Sequence, residues 1–378
     1  MSQFRCFVIL VIWISVGRVQ AELPGTSGID RVRLNQIQVI GSHNSYKAAI
    51  DPELFRIMQA AYPDAKALDY AHPPLSDQLN LGLRNLELDV FHDPEGGRYA
   101  KPLGMTALKA AGHTPREFNT DGKMNEPGFK VLHVQDIDFR SNCWTFVDAL
   151  TELRSWSQKN PRHLPILVTM NVNDASIDFP GTVDPLPFDR AALDELDKVL
   201  ISNLGVDELI RPDDVRGDYE TLEAAVLAFN WPTLAVARGK FLFVLDDFGR
   251  KRDAYLAGRA GLKGSTFFVN TVPGNPEAAI MIRNHPRAER ESIAALVRQG
   301  YVVRTRADAG THEARRGDFT RFEAAKQSGA QVITTDYYQA DWRINPGYRI
   351  RFDRGGCWRL NPISLPQANA GVFDADLE

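Results

Sequence analysis

The sequence predicts a single-domain α/β protein that folds as a (β/α)₈ barrel of the TIM type. Short, nearly continuous apolar runs alternate along the chain with segments whose apolar residues recur every three or four positions. Eight such units within 378 residues suit a closed barrel of parallel strands covered by helices. No internal repeat, low-complexity tract or Gly/Ser linker separates two independently folding parts.

The apolar runs are candidate strands, because a strand that is buried on both faces carries few polar residues. In chain order they span residues 36–41, 84–91, 129–134, 165–171, 240–246, 266–270, 301–305 and 331–335. Helical periodicity is clearest in residues 143–158, 191–203, 290–299 and 319–328. An open doubly wound sheet is the alternative, but no Gly-x-Gly-x-x-Gly motif opens a helix after the first strand, where a dinucleotide fold carries it.

The N-terminal segment is typical of a signal peptide. Arg5 precedes an apolar run over residues 6–14, and residues 19–21 (VQA) have the small-x-small form of a signal-peptidase site. The run is shorter than the ~20 apolar residues of a membrane-spanning helix. We therefore expect residues 1–21 to be a signal peptide and residues 22–378 to form the barrel, in a protein that is secreted or periplasmic.

The overall charge argues against a polyanionic partner. The chain has a formal net charge of -4 at pH 7 and therefore offers no basic field that would attract nucleic acid. It also has no polybasic segment that would anchor it to an anionic membrane. We expect no nucleic-acid partner.

Two cysteines, Cys143 and Cys357, remain once the predicted signal peptide is removed. An even pair in a chain that enters an oxidising compartment is consistent with one disulfide. Two separate buried thiols are the alternative, and the sequence does not choose between them because it does not show whether the two residues are close in space.

Polar residues follow the predicted strands at the positions where a barrel places its catalytic groups, the loops after the carboxyl ends of the strands. They are His43, Asn44, Glu87, Asp89, His133, Asn171, Asn173, Asp246, Asp247, Asn270, Arg304, Arg306, Asp308, Asp336 and Tyr337. We therefore expect one active site that is built from several strands.

Glu87 and Asp89 form the sharpest local signal. Residues two apart on a strand point to the same face, so the two carboxylates lie side by side and repel each other unless a cation neutralises them. A hard divalent cation would take oxygen ligands from both, from the Asn44 side chain and from a strand-four amide, Asn171 or Asn173. An all-oxygen set favours Ca²⁺ or Mg²⁺ over zinc. The alternative is an ordinary ion pair with a nearby arginine such as Arg84.

His43 and His133 are the candidate acid/base pair. His43 lies in a polar loop after the first predicted strand, and His133 ends the third. Acid/base catalysis requires one group that accepts a proton and one that donates it, and imidazoles serve both roles near neutral pH. The other histidines of the mature chain are interpreted as surface or structural residues, with His72 as part of a His-Pro-Pro loop.

Arg304, Arg306, Asp308 and Tyr337 are candidates for substrate binding. Arg304 and Arg306 share a face of the seventh predicted strand, and a guanidinium is suited to contacting a phosphate or sugar hydroxyls. The alternative for either arginine is a salt bridge to Asp308 or Asp336. Tyr337 has a ring that could stack on a sugar or simply pack at the rim of the barrel.

Longer motifs surround these residues. One group comprises residues 41–46 (GSHNSY), 75–79 (LSDQL), 82–90 (GLRNLELDV) and 131–133 (VLH), and the other comprises residues 243–247 (FVLDD), 268–270 (FVN), 303–308 (VRTRAD) and 334–337 (TTDY). The first group resembles the X-region motifs of phosphoinositide-specific phospholipases C. The second resembles the secreted, calcium-dependent bacterial branch of that family. The resemblance covers nearly all of the chain after the predicted signal peptide.

The resemblance implies a calcium-dependent, two-histidine mechanism on a barrel. His43 and His133 would flank the phosphate, one assisting the inositol 2-hydroxyl and the other protonating the departing diacylglycerol oxygen. Ca²⁺, favoured over Mg²⁺, would be held by Asn44, Glu87 and Asp89. The implied products are diacylglycerol and a cyclic inositol phosphate. The implied partner is a phosphoinositide lipid that a monomer meets by peripheral contact with a membrane.

Two departures from the eukaryotic enzymes of this family concern the metal and the head group. Asn171 stands where those enzymes carry a glutamate ligand, so we expect one negative charge fewer at the metal site. Asp246 and Asp247 stand where those enzymes carry a lysine for ring phosphates, which favours plain phosphatidylinositol as the substrate.

Two other functions compete with this interpretation. Glycerophosphodiester phosphodiesterases are barrels with a similar set of residues, but they place an arginine after the first histidine, where this chain has Asn44, and a His-Asp pair at the second. The second competitor is a non-catalytic, secreted inositol-lipid-binding barrel that has lost metal affinity through Asn171.

Overall fold

The computed structural model describes residues 28–365, and the predicted signal peptide lies outside this range. Its strands are β1 (Ile37–Ser42), β2 (Asn85–Asp93), β3 (Gly128–Val131), β4 (Ile166–Val172), β5 (Phe241–Leu245), β6 (Phe268–Val269), β7 (Ile280–Ile282), β8 (Val302–Arg306), β9 (Val332–Thr335) and β10 (Trp358–Leu360). Its α-helices are α1 (Pro52–Ala61), α2 (Leu75–Asn80), α3 (Leu103–Ala110), α4 (Phe146–Lys159), α5 (Arg190–Leu204), α6 (Pro212–Arg216), α7 (Leu222–Leu227), α8 (Leu234–Ala237), α9 (Arg250–Leu256), α10 (Pro286–Arg298), α11 (His312–Arg316) and α12 (Thr320–Ser328).

Eight parallel strands form the ring that was predicted. Their order is β6-β5-β4-β2-β1-β9-β8-β7, and a parallel bridge between Asn270 and Ile280 joins the two end strands. β1 and β2 are paired only at Gly41 and Asn85. A Cβ atom on Gly41 would lie 2.4 Å from that of Asn85, so this close approach requires glycine. The (β/α)₈ fold class is confirmed.

The prediction that residues 129–134 form the third strand of the ring is wrong. β3 pairs antiparallel with β2, with Val90 opposite Val131 and Asp93 opposite Gly128, so it is a hairpin partner outside the ring. The missing ring strand is β7, whose three residues are too few to show a periodic pattern. β10 was also not predicted, and it pairs antiparallel with β1.

Burial of apolar faces between the ring and the helices positions the strands. β5 is buried along its whole length, and the four predicted helical segments correspond to α4, α5, α10 and α12. α4 shows why such a segment is helical: the Thr145 hydroxyl accepts from the Asp148 N–H at its start, and Leu150 and Leu153 face the core. Each fully buried leucine contributes about 1.5–3 kcal/mol.

Cys143 and Cys357 are separate buried thiols, so the disulfide that the sequence left open does not form in this structure. Each packs in a different apolar cluster of the molecule. Among the helices of residues 28–365, none has the length and apolar character needed to cross a bilayer.

Candidate active site

Glu87 and Asp89 lie side by side on the inner face of β2 and are 4% and 6% exposed. Burial and the charge of Glu87 raise the pKa of Asp89. Burial also acts to raise the pKa of Glu87, but the charges of Arg304 and His43 outweigh it and lower that pKa. The pair is therefore crowded with negative charge, and a side-chain cation compensates one member.

Two asparagine side chains face this pair: Asn171 lies on β4, and Asn173 lies in the loop directly after it. Asn171 Nδ2 donates to Glu87 Oε1 at 3.2 Å and to Asp89 Oδ1 at 2.9 Å. Asn173 Nδ2 donates to Asp89 Oδ2 at 3.3 Å. The register of β2 and β4 pairs Asp89 directly with Asn171. Both candidate amides of the sequence interpretation thus reach the carboxylates.

Asn44 lies in the turn after β1 with a left-handed backbone, φ 46°, which asparagine tolerates better than most residues. Its amide nitrogen donates to the Tyr70 hydroxyl at 2.7 Å, which leaves the amide oxygen for another partner. The next residue ties the turn to β2, because the Ser45 N–H donates to the Glu87 carbonyl at 3.0 Å. Asn44 is therefore held beside the carboxylate pair.

His43 has a defined orientation at the mouth of the ring. Its Nδ1 atom lies 2.9 Å from Asp336 Oδ1, so Nδ1–H donates to this buried carboxylate and Nε2 keeps its lone pair. Arg306 Nη1 lies 3.2 Å from Nε2, and Glu87 Oε1 lies 3.8 Å from it. His43 and Arg306 lower the pKa of Asp336 to about 2 against the opposing effect of burial.

His133 is oriented in the same way by a second carboxylate. Its Nδ1–H donates to Asp138 Oδ2 at 2.7 Å, and Nζ of the fully buried Lys47 lies 3.4 Å from the same oxygen. Burial acts to lower the pKa of His133, but the hydrogen bond and charge of Asp138 and the charge of Asp89 raise it overall. His133 follows β3, so it reaches the ring mouth from the hairpin and not from a ring strand.

The carboxylate pair therefore has a histidine on each side. His43 lies next to Glu87. His133 follows Val131, which pairs with Val90 beside Asp89, and the charge of Asp89 acts on it. Each ring has one nitrogen fixed by a carboxylate. Nε2 of His43 accepts from Arg306 Nη1 in the structure, so this nitrogen takes a proton only after Arg306 turns away. This arrangement can deprotonate a hydroxyl on one side of a phosphodiester and protonate a leaving oxygen on the other.

Arg304 is 2% exposed and pairs with Glu87 through Nη2, while its Nη1 donates to Asn284 Oδ1 at 2.8 Å. The predicted alternative, an ion pair of the carboxylates with an arginine, therefore exists, but its arginine is Arg304. Arg84 instead donates to backbone carbonyls before the start of β2. Arg304 is thus a partner of the carboxylate pair and is buried away from direct access to substrate.

The other candidates for substrate binding divide into one accessible residue and two enclosed ones. Arg306 is half-buried and borders His43. Asp308 is fully buried and accepts the Asp336 N–H at 3.0 Å, and burial with the charge of Asp336 raises its pKa to about 7. The Tyr337 ring packs edge-on against Tyr348, so it has a protein partner in place of a sugar.

His72 lies in the His-Pro-Pro loop as a structural residue, but its role there is more specific than the sequence indicated. It is buried behind the catalytic candidate, where Nε2–H donates to the His43 carbonyl at 2.9 Å and Nδ1 accepts from the Tyr338 hydroxyl at 3.1 Å. Burial lowers the pKa of His72 to about 4, so the ring is neutral. Sequence reasoning also did not identify Lys47 or Asp138, although both lie within a few residues of a candidate histidine.

The donor set fits a hard divalent cation. Glu87 and Asp89 supply two carboxylates, Asn44 supplies a free amide oxygen, and Asn171 supplies a second oxygen after its amide turns by 180°, which keeps its shape. Within residues 28–365 no cluster of three or more His, Cys, Asp or Glu side chains has metal-site geometry, so such a site needs these amides. A bound cation would also offset the repulsion between the Glu87 and Asp89 carboxylates.

Known proteins resemble this chain in both sequence and fold. A family model described as "Phosphoinositide phospholipase C, Ca2+-dependent" matches residues 32–362. A calcium-dependent phosphoinositol-specific phospholipase C from a Pseudomonas species has a similar fold, with a TM-score of 0.51, 16% identity, and coverage of 88% of this chain and 96% of that chain. The corresponding enzyme from Streptomyces antibioticus has a TM-score of 0.51, 19% identity, and coverage of 81% and 95%. Among curated proteins, no significant sequence match is found.

Proposed function

Because the chain belongs to the calcium-dependent phosphoinositide phospholipase C family, we propose that it cleaves phosphatidylinositol to diacylglycerol and a cyclic inositol phosphate through His43 and His133. The members of this family are phosphodiesterases, so the chain is an enzyme of that class, and the family predicted from its motifs is confirmed. The observation that carries the proposed mechanism is the carboxylate pair between two histidines, each oriented by its own buried carboxylate.

His43 acts as the base in this proposal. Its Nε2 lone pair takes the proton of the inositol 2-hydroxyl, whose oxygen then attacks the phosphorus. Asp336 stabilises the imidazolium that forms, because it accepts Nδ1–H and is itself ionised. Arg306, which donates to this Nε2 in the structure, would turn to a phosphate oxygen when substrate binds and so free the lone pair.

His133 acts as the acid. The bond between phosphorus and the diacylglycerol oxygen breaks, and Nε2–H of His133 gives its proton to that oxygen. The raised pKa of His133 keeps it protonated over a wider pH range than an ordinary histidine. The five-membered cyclic phosphate forms in the same step, and water can open it later by the reverse proton transfers.

Asn44, Glu87, Asp89 and Asn171 are the proposed calcium ligands. When bound there, Ca²⁺ would lower the pKa of the inositol hydroxyl and balance charge at the phosphorus. Asp246 beside the mouth is a negative charge that disfavours ring phosphates, which supports plain phosphatidylinositol as the substrate.

We also propose that residues 1–21 are removed on export, and that residues 22–378 act as a secreted or periplasmic monomer that touches lipid only peripherally. N-terminal sequencing of the exported protein should begin at Glu22. An uncleaved N-terminus would contradict the leader assignment and leave the catalytic proposal intact.

The function is tested by release of water-soluble inositol phosphate from vesicles that contain phosphatidylinositol, with calcium and with excess EGTA. We expect the wild type to turn over substrate with calcium and to lose activity with EGTA. His43→Ala and His133→Ala should be inactive, while the control variant His285→Ala, at an exposed histidine, should stay active. Circular dichroism should show that all variants are folded. Preferential hydrolysis of glycerophosphocholine would support a glycerophosphodiester phosphodiesterase instead. Lipid binding without turnover under every condition would support a non-catalytic module.

A further inference from the structure

The buried guanidinium of Arg304 lies next to Glu87, one of the proposed calcium ligands. The inference that follows concerns calcium binding and so rests on the proposed function. Arg304 pairs with Glu87 and donates to Asn284. Its Nε atom is buried and has no hydrogen-bond partner within residues 28–365. A buried donor without a partner is unfavourable, so Arg304 has a hydrogen bond to gain in another position.

Binding of calcium changes the charge around Arg304. In the structure, the guanidinium compensates one of the two charges of Glu87 and Asp89. A divalent cation on the same carboxylates would compensate both and would stand next to the guanidinium. Like charges a few ångströms apart in a poorly solvated site repel each other strongly. Arg304 then needs a different anionic partner.

Asp246 is the available partner. It directly follows β5 and is partly buried. Asn270, which binds its carboxylate, also accepts the N–H of Ile282, and Ile282 pairs with Arg304 in the register of β7 and β8. The charge of Arg304 acts on Asp246. Asn270 Nδ2 donates to its Oδ1 at 2.7 Å, which leaves Oδ2 for another donor. Burial raises the pKa of Asp246 to about 6, as expected for a carboxylate that lacks a full counter-ion.

We propose that Arg304 competes with calcium for Glu87 and that it transfers its ion pair to Asp246 when calcium binds. Without calcium, the guanidinium holds the carboxylate pair in place. With calcium, Asp246 receives the guanidinium and so lowers the free energy of the loaded state. Arg304 and Asp246 are then positioning residues that set the calcium affinity of the site from opposite sides.

The test is calorimetric titration of the full mature chain with Ca²⁺, without lipid, for the wild type, Arg304→Gln, Asp246→Asn and the double variant. We expect Arg304→Gln to bind calcium about tenfold more tightly, because the competing charge is gone. We expect Asp246→Asn to bind several-fold more weakly, and the Asp246→Asn change to have no further effect in the Arg304→Gln background. Arg216→Gln, which removes another buried arginine that pairs with Asp213, is the matched control.

The outcomes separate the competition from the calcium site itself. If Arg304→Gln binds calcium as tightly as the wild type or more weakly, this inference is overturned and the proposed function is not affected. Arg304 would then only hold Glu87 in place and would not compete with calcium. Should Arg304→Gln fail to fold, Asp246→Asn decides, and unchanged calcium affinity there overturns the inference. If none of the variants nor the wild type binds calcium, or if Asp89→Asn binds it as tightly as the wild type, the calcium site of the proposed function fails as well.

Discussion

The Nδ1 atom of His133 lies 2.7 Å from Oδ2 of Asp138, so one buried carboxylate orients this ring and favours its charged form. Because Nδ1–H is committed to Asp138, Nε2 is the nitrogen left for proton transfer in the proposed mechanism. The pH range over which His133 can donate a proton therefore depends on Asp138.

Asp138→Asn should move the alkaline limb of kcat/KM against pH to lower pH by about one unit. The raised pKa of His133 depends on Asp138, and a general acid works only while it is protonated, so activity is lost as the pH rises through that pKa. The measurement is the pH profile of phosphatidylinositol cleavage, with the exposed Asp64→Asn as the control. An alkaline limb that stays in place would mean that His133 is not the acid.

The leaving group should distinguish the two histidines. With phosphatidylinositol, His43→Ala and His133→Ala should each lower kcat by roughly 10²–10⁴. With an inositol phosphodiester whose leaving group is a nitrophenol, which departs without protonation, His133→Ala should recover most of its activity and His43→Ala should not. Equal recovery of both variants would contradict the assignment of base and acid.

Asp336→Asn should lower kcat by about 10²–10⁴ with little change in KM. The Asp336 carboxylate accepts Nδ1–H of His43, and an asparagine can present its NH₂ group there and stabilise the wrong tautomer. Steady-state kinetics check this, with Asp341→Asn on the same loop as the control. A variant that keeps more than about a third of wild-type kcat would show that the orientation of His43 does not matter.

The contribution of His72 to the free energy of unfolding should fall as the pH drops from about 6.5 towards 4. Burial lowers the pKa of His72 in the folded state to about 4, so the unfolded state binds more protons in this window and acid favours it. The effect of His72 is at most about 3 kcal/mol. Urea unfolding of the wild type and of His72→Gln at several pH values measures it: relative to the variant, the wild type should lose free energy of unfolding as the pH drops. An identical dependence in both proteins would contradict the buried, neutral state of His72.

The sequence predicted the fold class and most ring strands because long buried strands have a strong apolar pattern. It failed at β7, which is three residues long, and at β3, whose apolar run is the same whether it lies in the ring or in a hairpin. The direction of a strand is set by its connections and partners, and these are not visible in a local pattern.

The candidate site was predicted unevenly for a related reason. Short-range patterns identified four of its residues: two carboxylates that alternate on a strand, and two histidines that directly follow strands. These are Glu87, Asp89, His43 and His133, and the structure brings them together. The ion pair between Arg304 and Glu87 joins residues that are 217 positions apart in the chain, so a local sequence pattern does not predict it.

The most direct test of the central claim is a phosphorus-31 NMR time course of phosphatidylinositol cleavage by the mature protein, with calcium and with excess EGTA. In the proposed mechanism the inositol hydroxyl attacks the phosphorus, with His43 as the base and His133 as the acid. A cyclic inositol phosphate should therefore appear first, and only with calcium. Any inositol monophosphate should form after it. Direct appearance of an inositol monophosphate with no cyclic precursor, or an undiminished rate in EGTA, would contradict the account.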